Sequence, residues 1–334
     1  MIDLAAWTPA QRGALAALRS ADRVLLTGHV RPDGDCLGSQ AALARALELA
    51  GHTVRIVNSD LPEDRYDYLA RDTRFEAFDG HLDEFDAIVL LDCHDLDRLD
   101  AMAPLVAASQ AAKIVVDHHP HEGEAWWNEA FLDPSAAATG CLVWRLALAL
   151  ETPPDSIVDR GVFTALVSDT GWFKYSNTDH ETLSIAAEVV GRGLDTAALY
   201  QRLHQQSPAT EPRAIARFLD RLQYVANERI AVLDQPLTTN DETRVDAADV
   251  VLDIVRAVGS VEVVLYLREL EGGLCKLSAR SKTDFDVNRL ARQFGGGGHA
   301  KASGATIPGT LDEVRGRLVA AAEEQLQQPA GTRG

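Results

Sequence analysis

The sequence predicts an α/β protein, in which a doubly wound, mainly parallel sheet forms an N-terminal domain and a second, smaller α+β domain follows. Three observations predict it. The first half alternates short apolar runs with stretches of helical length. The segment "QQSPATEP", Gln205 to Pro212, concentrates Pro, Ser and Thr. Beyond it the strand-like runs follow one another with fewer helical stretches between them. A chain of 334 residues has room for about two domains, and 46% hydrophobic content supplies their cores. The expected boundaries are a first domain over residues 1–190, a helical linker over 191–212 and a second domain over 213–330.

The elements follow in order. Thr8 with Pro9 signs the start of a helix, and "RVLLTGH", "HTVRIVN", "DAIVLLDCH" and "AKIVVDHH" read as short buried strands. Thr178 with Glu181 reads as a capping box, Gly191 and Gly193 suit the end of that helix, and Asp195 opens the connecting helix "DTAALYQRLHQQ". In the second half "RIAVLD", "VEVVLYLREL" and "LCKLSARS" are strands, and Asp286 can cap "VNRLARQF". Thr310 with Glu313 opens the last helix, and "QQPAGTRG" has the composition of a frayed tail.

A net charge of −18 repels long polyanions, which excludes a protein that coats nucleic acid by charge alone. A small anion in a local pocket is not excluded. The four cysteines, Cys36, Cys93, Cys141 and Cys275, form no CxxC pair, so neither a zinc knuckle nor a disulfide framework is expected. No stretch approaches the roughly 20 apolar residues of a membrane span, and the first residues lack a leader pattern. A cytoplasmic, soluble protein without membrane contact is the expectation.

In an open parallel sheet, ligands collect beyond the carboxyl ends of the strands. Here those ends carry His29, Asp33 and Asp35, then Asp92, then Asp117, His118 and His119, and the apolar run "GVFTALVSD" closes on Asp169. Any one aspartate alone reads as a helix cap, and a lone histidine as a satisfied residue at a sheet rim. Their joint occurrence weakens both readings. Several carboxylates in one crevice raise one another's pKa unless a cation compensates them. Imidazole with carboxylate and no thiolate suits Mn²⁺ first, with Mg²⁺ or Co²⁺ also able to fit. Ser39 and Ser168 lack a triad-like context, so a covalent nucleophile is not expected.

"GHVRPDGDCLGS", "LLDCHD", "VVDHHP" and "VSDTGWFKYSNT", in that order, resemble the four motifs of the DHH phosphoesterase family, whose triplet is here Asp117-His118-His119. The resemblance implies two divalent metal ions. One is held by His29, Asp33 and Asp92, the other by Asp35, Asp92, His118 and Asp169, with Asp92 shared. It further implies that His119 faces the substrate phosphate and that Asp117 orients its neighbours. Such ions acidify water and neutralise phosphoryl charge during in-line displacement.

"RQFGGGGHAKASGA", Arg292 to Ala305, is the other unusual stretch. A glycine run alone reads as a linker. Helix signals before it, His299 after it and Ala302-Ser303-Gly304 beyond favour an anion-binding nest of successive amides. Arg280 offers a planar fork for phosphate or carboxylate. The segment from "CKLSARSK" to "GGGGHAKASGA" resembles the DHH-associated domain. That implies substrate binding by Arg280, Ser281, Gly297, Gly298, His299 and Ser303, with the active site in the interdomain cleft.

A chain with only these two domains is similar to the members of the family that cleave short RNA oligonucleotides to mononucleotides and 3′-phosphoadenosine 5′-phosphate to AMP. Linear dinucleotides such as pApA are expected substrates. Short single-stranded DNA stays open as a partner, and a homodimer is compatible with the sequence. The alternatives are a repair exonuclease acting on single-stranded DNA and a non-catalytic nucleotide-binding module. Trp126, Trp127, Trp172, Phe173 and Tyr175 are candidates for base stacking, with rim or core packing equally open. His94 and His121 read as surface residues or supports of the metal motifs.

Overall fold

The computed structural model describes residues 4–121, 123–237 and 248–328, with the side chains of 248 and 249 left aside. The proposed frayed tail beyond Gln328 lies outside the described residues, as does part of the segment assigned to the second domain. The chain divides into two compact units, Met1–Gln206 and Ser207–Gly334.

The first unit holds strands β1 (Arg23–Gly28), β2 (Thr53–Asn58), β3 (Phe75–Ala77), β4 (Ala87–Leu91), β5 (Ala112–Asp117) and β6 (Glu129–Leu132). Its helices are α1 (Pro9–Ser20), α2 (Gly34–Leu49), α3 (Asp67–Ala70), α4 (Ala103–Ala108), α5 (Thr139–Ala149), α6 (Ser156–Asp169), α7 (His180–Gly191) and α8 (Thr196–His204). The strands form one parallel sheet in the order β3-β2-β1-β4-β5-β6. Strand order therefore reverses between β1 and β4, the point where ligands bind in such sheets. Register then places the site: Gly28 pairs with Leu91, and Leu91 with Val116. The residues that follow, His29, Asp92 and Asp117, consequently leave three adjacent strands side by side.

Alternate side chains serve two cores. Val24, Leu26, Val89, Leu91, Ile114 and Val116 face one layer with the large helices, whereas Leu25, Ile88, Leu90 and Val115 face a thinner layer with Leu99, Met102 and Val106. The doubly wound expectation is met.

The run "GVFTALVSD" differs from the strands with which it was grouped. It is the end of helix α6, capped by Asp155, whose side chain accepts from the N–H groups of Ile157 and Val158. Glycine lets α6 lie against α2: a Cβ on Gly38 would come 2.4 Å from the carbonyl oxygen of Gly161, and one on Gly161 would come 2.6 Å from that of Gly38. Both obstacles are backbone. Gly38→Ala is expected to lower stability by about 1–3 kcal/mol through overpacking, read as a lower thermal midpoint. An unchanged midpoint would mean that the helices separate without cost.

The cap expected of Thr178 is instead made by Asp179, whose carboxylate accepts from Thr182 N–H, while Thr178 Oγ1 is buried without a partner. The Thr8, Asp195 and Thr310 caps form as expected, the first and last as complete capping boxes.

The second unit holds a mixed sheet ordered β11-β12-β10-β9-β8-β7, formed by β7 (Gln223–Val225), β8 (Ile230–Gln235), β9 (Val263–Leu270), β10 (Leu274–Ser281), β11 (Gly297–His299) and β12 (Ala302–Pro308). Only β8 and β9 pair in parallel among its described strands. Helices α9 (Glu211–Leu219), α10 (Ala248–Arg256), α11 (Val287–Arg292) and α12 (Leu311–Gln327) complete it. No described helix in either unit is long and apolar enough to cross a membrane.

Candidate metal centre

His29 leaves β1 and donates from Nδ1 to Val30 O at 2.9 Å, which turns Nε2 towards Asp92 Oδ2 at 3.4 Å and Asp33 Oδ1 at 4.0 Å. Asp33 is also the cap of α2, accepting from Asp35 and Cys36 N–H, so the cap reading and the site reading hold together. Asp92 takes φ +58° at the end of β4, a left-handed conformation that aspartate tolerates better than most residues. Its N–H donates to Val116 O at 3.0 Å, so strand pairing continues through the kink.

His118 follows β5. Its Nδ1 lies 3.1 Å from Ala136 O, and its Nε2 lies 3.1 Å from Asp169 Oδ2 and 3.6 Å from both Asp35 Oδ2 and Asp92 Oδ1. That nitrogen is buried and makes no aligned hydrogen bond to any of the three. A buried nitrogen facing three carboxylate oxygens without a hydrogen bond has the donor set and closeness that a cation needs. Three groups of side chains converge in this way: His29, Asp33 and Asp92; Asp35, His118 and Asp169; and Asp92, His118 and His119.

Asp35 is fully buried on the first turn of α2, with oxygens held by Thr139 N–H at 2.7 Å, Gly140 N–H at 3.0 Å and Ser39 Oγ at 3.2 Å. Thr139 Oγ1 donates to Asp92 Oδ1 at 3.1 Å. The N-terminus of α5 therefore holds one carboxylate by backbone and a second by side chain. Sequence reasoning missed Thr139 and Gly140; the small residues of "AAATG" opening a helix were the available signal. Gly28 is required nearby, since a Cβ there would meet Cys36 Sγ at 2.2 Å.

The carboxylate charges are only partly compensated. Burial, then Asp92, Asp169 and Asp33, hold the Asp35 carboxyl well above its usual pKa. Burial does the same to Asp92, against the opposing pull of His29. Burial disfavours charge on His118, yet Asp169 and Asp92 outweigh it and push its pKa up to about 9. Protonated imidazole thus supplies part of the positive charge that the carboxylates require.

Asp117, fully buried, is clamped between two imidazoles. His119 Nδ1 lies 2.8 Å from Oδ1 and His94 Nδ1 2.5 Å from Oδ2. Burial would raise the Asp117 pKa, but the hydrogen bonds from His119 and His94 lower it. His94 is thus a partner of Asp117 and not a surface residue. Trp126 donates to His94 O at 2.8 Å and packs with Trp127 against the thinner core layer. Cys36 is buried with its thiol pKa well above the usual value, first through burial, an environment that disfavours a thiolate.

In the second unit Arg280 pairs with Ala302 and Val264 across β10. Ser281 and Ser303 are buried and donate their hydroxyls to Phe285 O at 2.6 Å and His299 O at 2.7 Å. Gly297, Gly298 and His299 are exposed and pair with Gly304, Ser303 and Ala302 as a hairpin edge. The expected nest does not extend through the whole glycine run: the N–H groups of Gly295 and Gly296 donate to Arg292 O and Ala291 O, closing α11. Gly298 takes φ +141°, and a Cβ there would come 2.6 Å from Ala302 O.

Comparison with known proteins follows this geometry. Residues 23–168 match the N-terminal domain of the DHH family and residues 230–328 match the DHHA1 domain. Over 304 residues the chain is 30% identical to the bifunctional oligoribonuclease and PAP phosphatase NrnA of Thermus thermophilus, covering 91% of this chain and 90% of that protein. It is 25% identical to the Bacillus subtilis protein of the same name, covering 86% and 90%. An exopolyphosphatase-related protein from Bacteroides fragilis has a TM-score of 0.88 at 24% identity, with 97% and 98% covered, and shares the fold.

Proposed function

Because this chain belongs to the DHH family, we propose that it is a metal-dependent phosphoesterase that cleaves short RNA oligonucleotides to mononucleotides and 3′-phosphoadenosine 5′-phosphate to AMP. The observation that carries the reading is the convergence of His118 Nε2 with the carboxylates of Asp35, Asp92 and Asp169. The names of the relatives in Thermus thermophilus and Bacillus subtilis, matched over most of their length, support the substrates. pApA is included on the same chemistry.

His29, Asp33 and Asp92 would hold one divalent ion, and Asp35, Asp92, His118 and Asp169 a second; Mn²⁺ suits the mixed imidazole and carboxylate set best. Bound there, such ions acidify water and neutralise phosphoryl charge. The chain's own residues prepare the site. The Nδ1 contacts of His29 and His118 to backbone oxygens turn both Nε2 atoms towards the carboxylates, where they would serve as ligands once deprotonated. Thr139 and Gly140 fix Asp35, and Thr139 also fixes Asp92. Asp117 holds His119 by Nδ1, which leaves its other nitrogen for a phosphoryl oxygen of the substrate.

The second unit binds substrate in this reading. Arg280 takes a phosphate, the Gly297–His299 edge allows close approach, and Ser281 and Ser303 keep the loop in shape. Four buried cysteines without a disulfide accord with a cytoplasmic site of action.

The test sets 3′-phosphoadenosine 5′-phosphate, pApA, a five-nucleotide RNA and a DNA length series side by side with Mn²⁺. Release of AMP and mononucleotides from the first three supports the reading. No hydrolysis, or a rate that rises with DNA length, refutes it. Arg280→Ala and His299→Ala are each expected to raise KM for the five-nucleotide RNA by about tenfold or more, with a smaller change in kcat. Unchanged KM in both would remove the second unit from recognition.

A further inference from the structure

On the side of the cluster carrying Asp33 and Asp169, the first unit displays aromatic and cationic side chains that the chemistry above does not use. They begin in the turn after α6. Gly171, Trp172 and Phe173 occupy the left-handed region in succession, with φ of +54°, +60° and +64°. Strain of this kind persists only where the surroundings enforce it. The turn brings the Trp172 ring edge-on to Tyr200 at 4.9 Å and to His204 at 5.6 Å between centroids, and Tyr200 and His204 lie 4.9 Å apart. The turn also lays the Tyr175 ring on Gly171, where a Cβ would come within 2.4 Å of it.

Tyr175 and Tyr200 are each 40% exposed, so packing accounts for only part of their surface. Cations stand among the rings. Lys174 Nζ is 5.4 Å from the centre of Tyr175. Arg65, which also pairs with Glu63 at 2.9 Å, lies 5.0 Å from the centre of Tyr66, whose ring would meet a Cβ on Gly34, next to Asp33, at 3.2 Å. Burial lowers the His204 pKa, and the nearby charges of Lys174 and Arg65 lower it further, which places these groups around one locus.

Partly exposed aromatic rings interleaved with cations, in a chain of net charge −18, suit a single strand whose bases stack and whose phosphates seek local positive charge. An acidic peptide would use the cations and leave the rings without partners. We infer that Trp172, Lys174, Tyr175, Tyr200 and His204 form a track for those nucleotides of an oligoribonucleotide that lie beyond the bond being cleaved. The track rests on the phosphoesterase reading above and adds a determinant of substrate length to it. Tyr175, whose ring packs on Gly171 two residues past Asp169, receives the base nearest the reacting phosphate, and Tyr200 a more distant one.

Tyr200→Ala, Lys174→Gln and Tyr200→Phe are assayed with Mn²⁺ on 3′-phosphoadenosine 5′-phosphate and on a five-nucleotide RNA, with thermal midpoints as a check of folding. Loss of one stacking partner is expected to raise KM for the RNA about tenfold in Tyr200→Ala. Lys174→Gln should raise it severalfold, and Tyr200→Phe should restore it. Both constants for 3′-phosphoadenosine 5′-phosphate should stay within about twofold, since that substrate is too short to reach Tyr200. An unchanged KM for RNA, or equal changes on both substrates, overturns the track. If the wild-type protein cleaves neither substrate, the phosphoesterase reading fails. Binding of a fluorescent five-nucleotide RNA to wild type and Tyr200→Ala then decides the track by itself: equal affinities overturn it, and a tenfold loss in the variant supports it.

Discussion

Asp92→Asn is expected to reduce turnover of every substrate by on the order of a thousandfold or more, while raising the thermal midpoint of the metal-free protein. Removing a residue that merely supports a metal ligand typically costs about 10–100-fold, and a carboxylate proposed to serve both ions should cost more. Geometry singles Asp92 out. One oxygen lies 3.4 Å from His29 Nε2, and the other lies 3.6 Å from His118 Nε2 and 3.5 Å from His119 Nδ1. The stability change has the opposite sign because burial disfavours the Asp92 charge, and asparagine is a neutral group of the same shape. Activity with Mn²⁺ and thermal unfolding in chelator check the two halves separately. Near-normal turnover would deny Asp92 its shared position. Lost activity with a lowered midpoint would mean that the carboxylate is structural.

Much of this site was legible because a parallel sheet translates chain order into position. His29 and Asp92 each follow the last residue of a strand and Asp117 is itself the last residue of β5, so identifying three strands was enough to bring them together. Asp169 joins the cluster from the end of a helix and not from a strand. A short apolar run does not distinguish a buried strand from a buried helix by periodicity. Asp155 as a cap, with Gly161 and Ala165 packed against α2 and α5, marks the helix. Thr139 escaped detection, and His94 stayed divided between a surface and a supporting reading, because their roles depend on backbone N–H groups and on contacts across the sheet, which carry no local residue pattern. The glycine run also shows a limit of composition. Part of it closes a helix and part forms a strand edge, and only pairing with Ala302–Gly304 separates the two.

Divalent metal should raise the thermal midpoint, and by more at pH 8.5 than at pH 6. In the metal-free protein Asp35 and Asp92 have folded pKa values above the unfolded carboxylate value of about 3.9, so their ionisation costs stability as pH rises from there. His118 acts in the same direction over a higher range. Its contribution is complete below the unfolded value of 6.5 and is lost as pH climbs towards the folded value of about 9. His119, also raised, adds to that loss through its bond to Asp117. Asp117, lowered, contributes stability that disappears only towards acid and does not affect this window. A cation held among these groups would take the place of the proton on His118, so its affinity would grow as that proton becomes easier to remove. At a concentration one hundred times Kd the gain is about 2.7 kcal/mol, which at roughly 2–4 °C per kcal/mol amounts to about 5–11 °C. Unfolding scans with Mn²⁺ or chelator at the two pH values measure the gap. His118→Ala should shrink the gap and flatten its dependence on pH, because both the competing proton and one cation ligand disappear together. A shift of equal size at both pH values in the wild-type protein would mean that the bound ion and the His118 proton do not compete for one place.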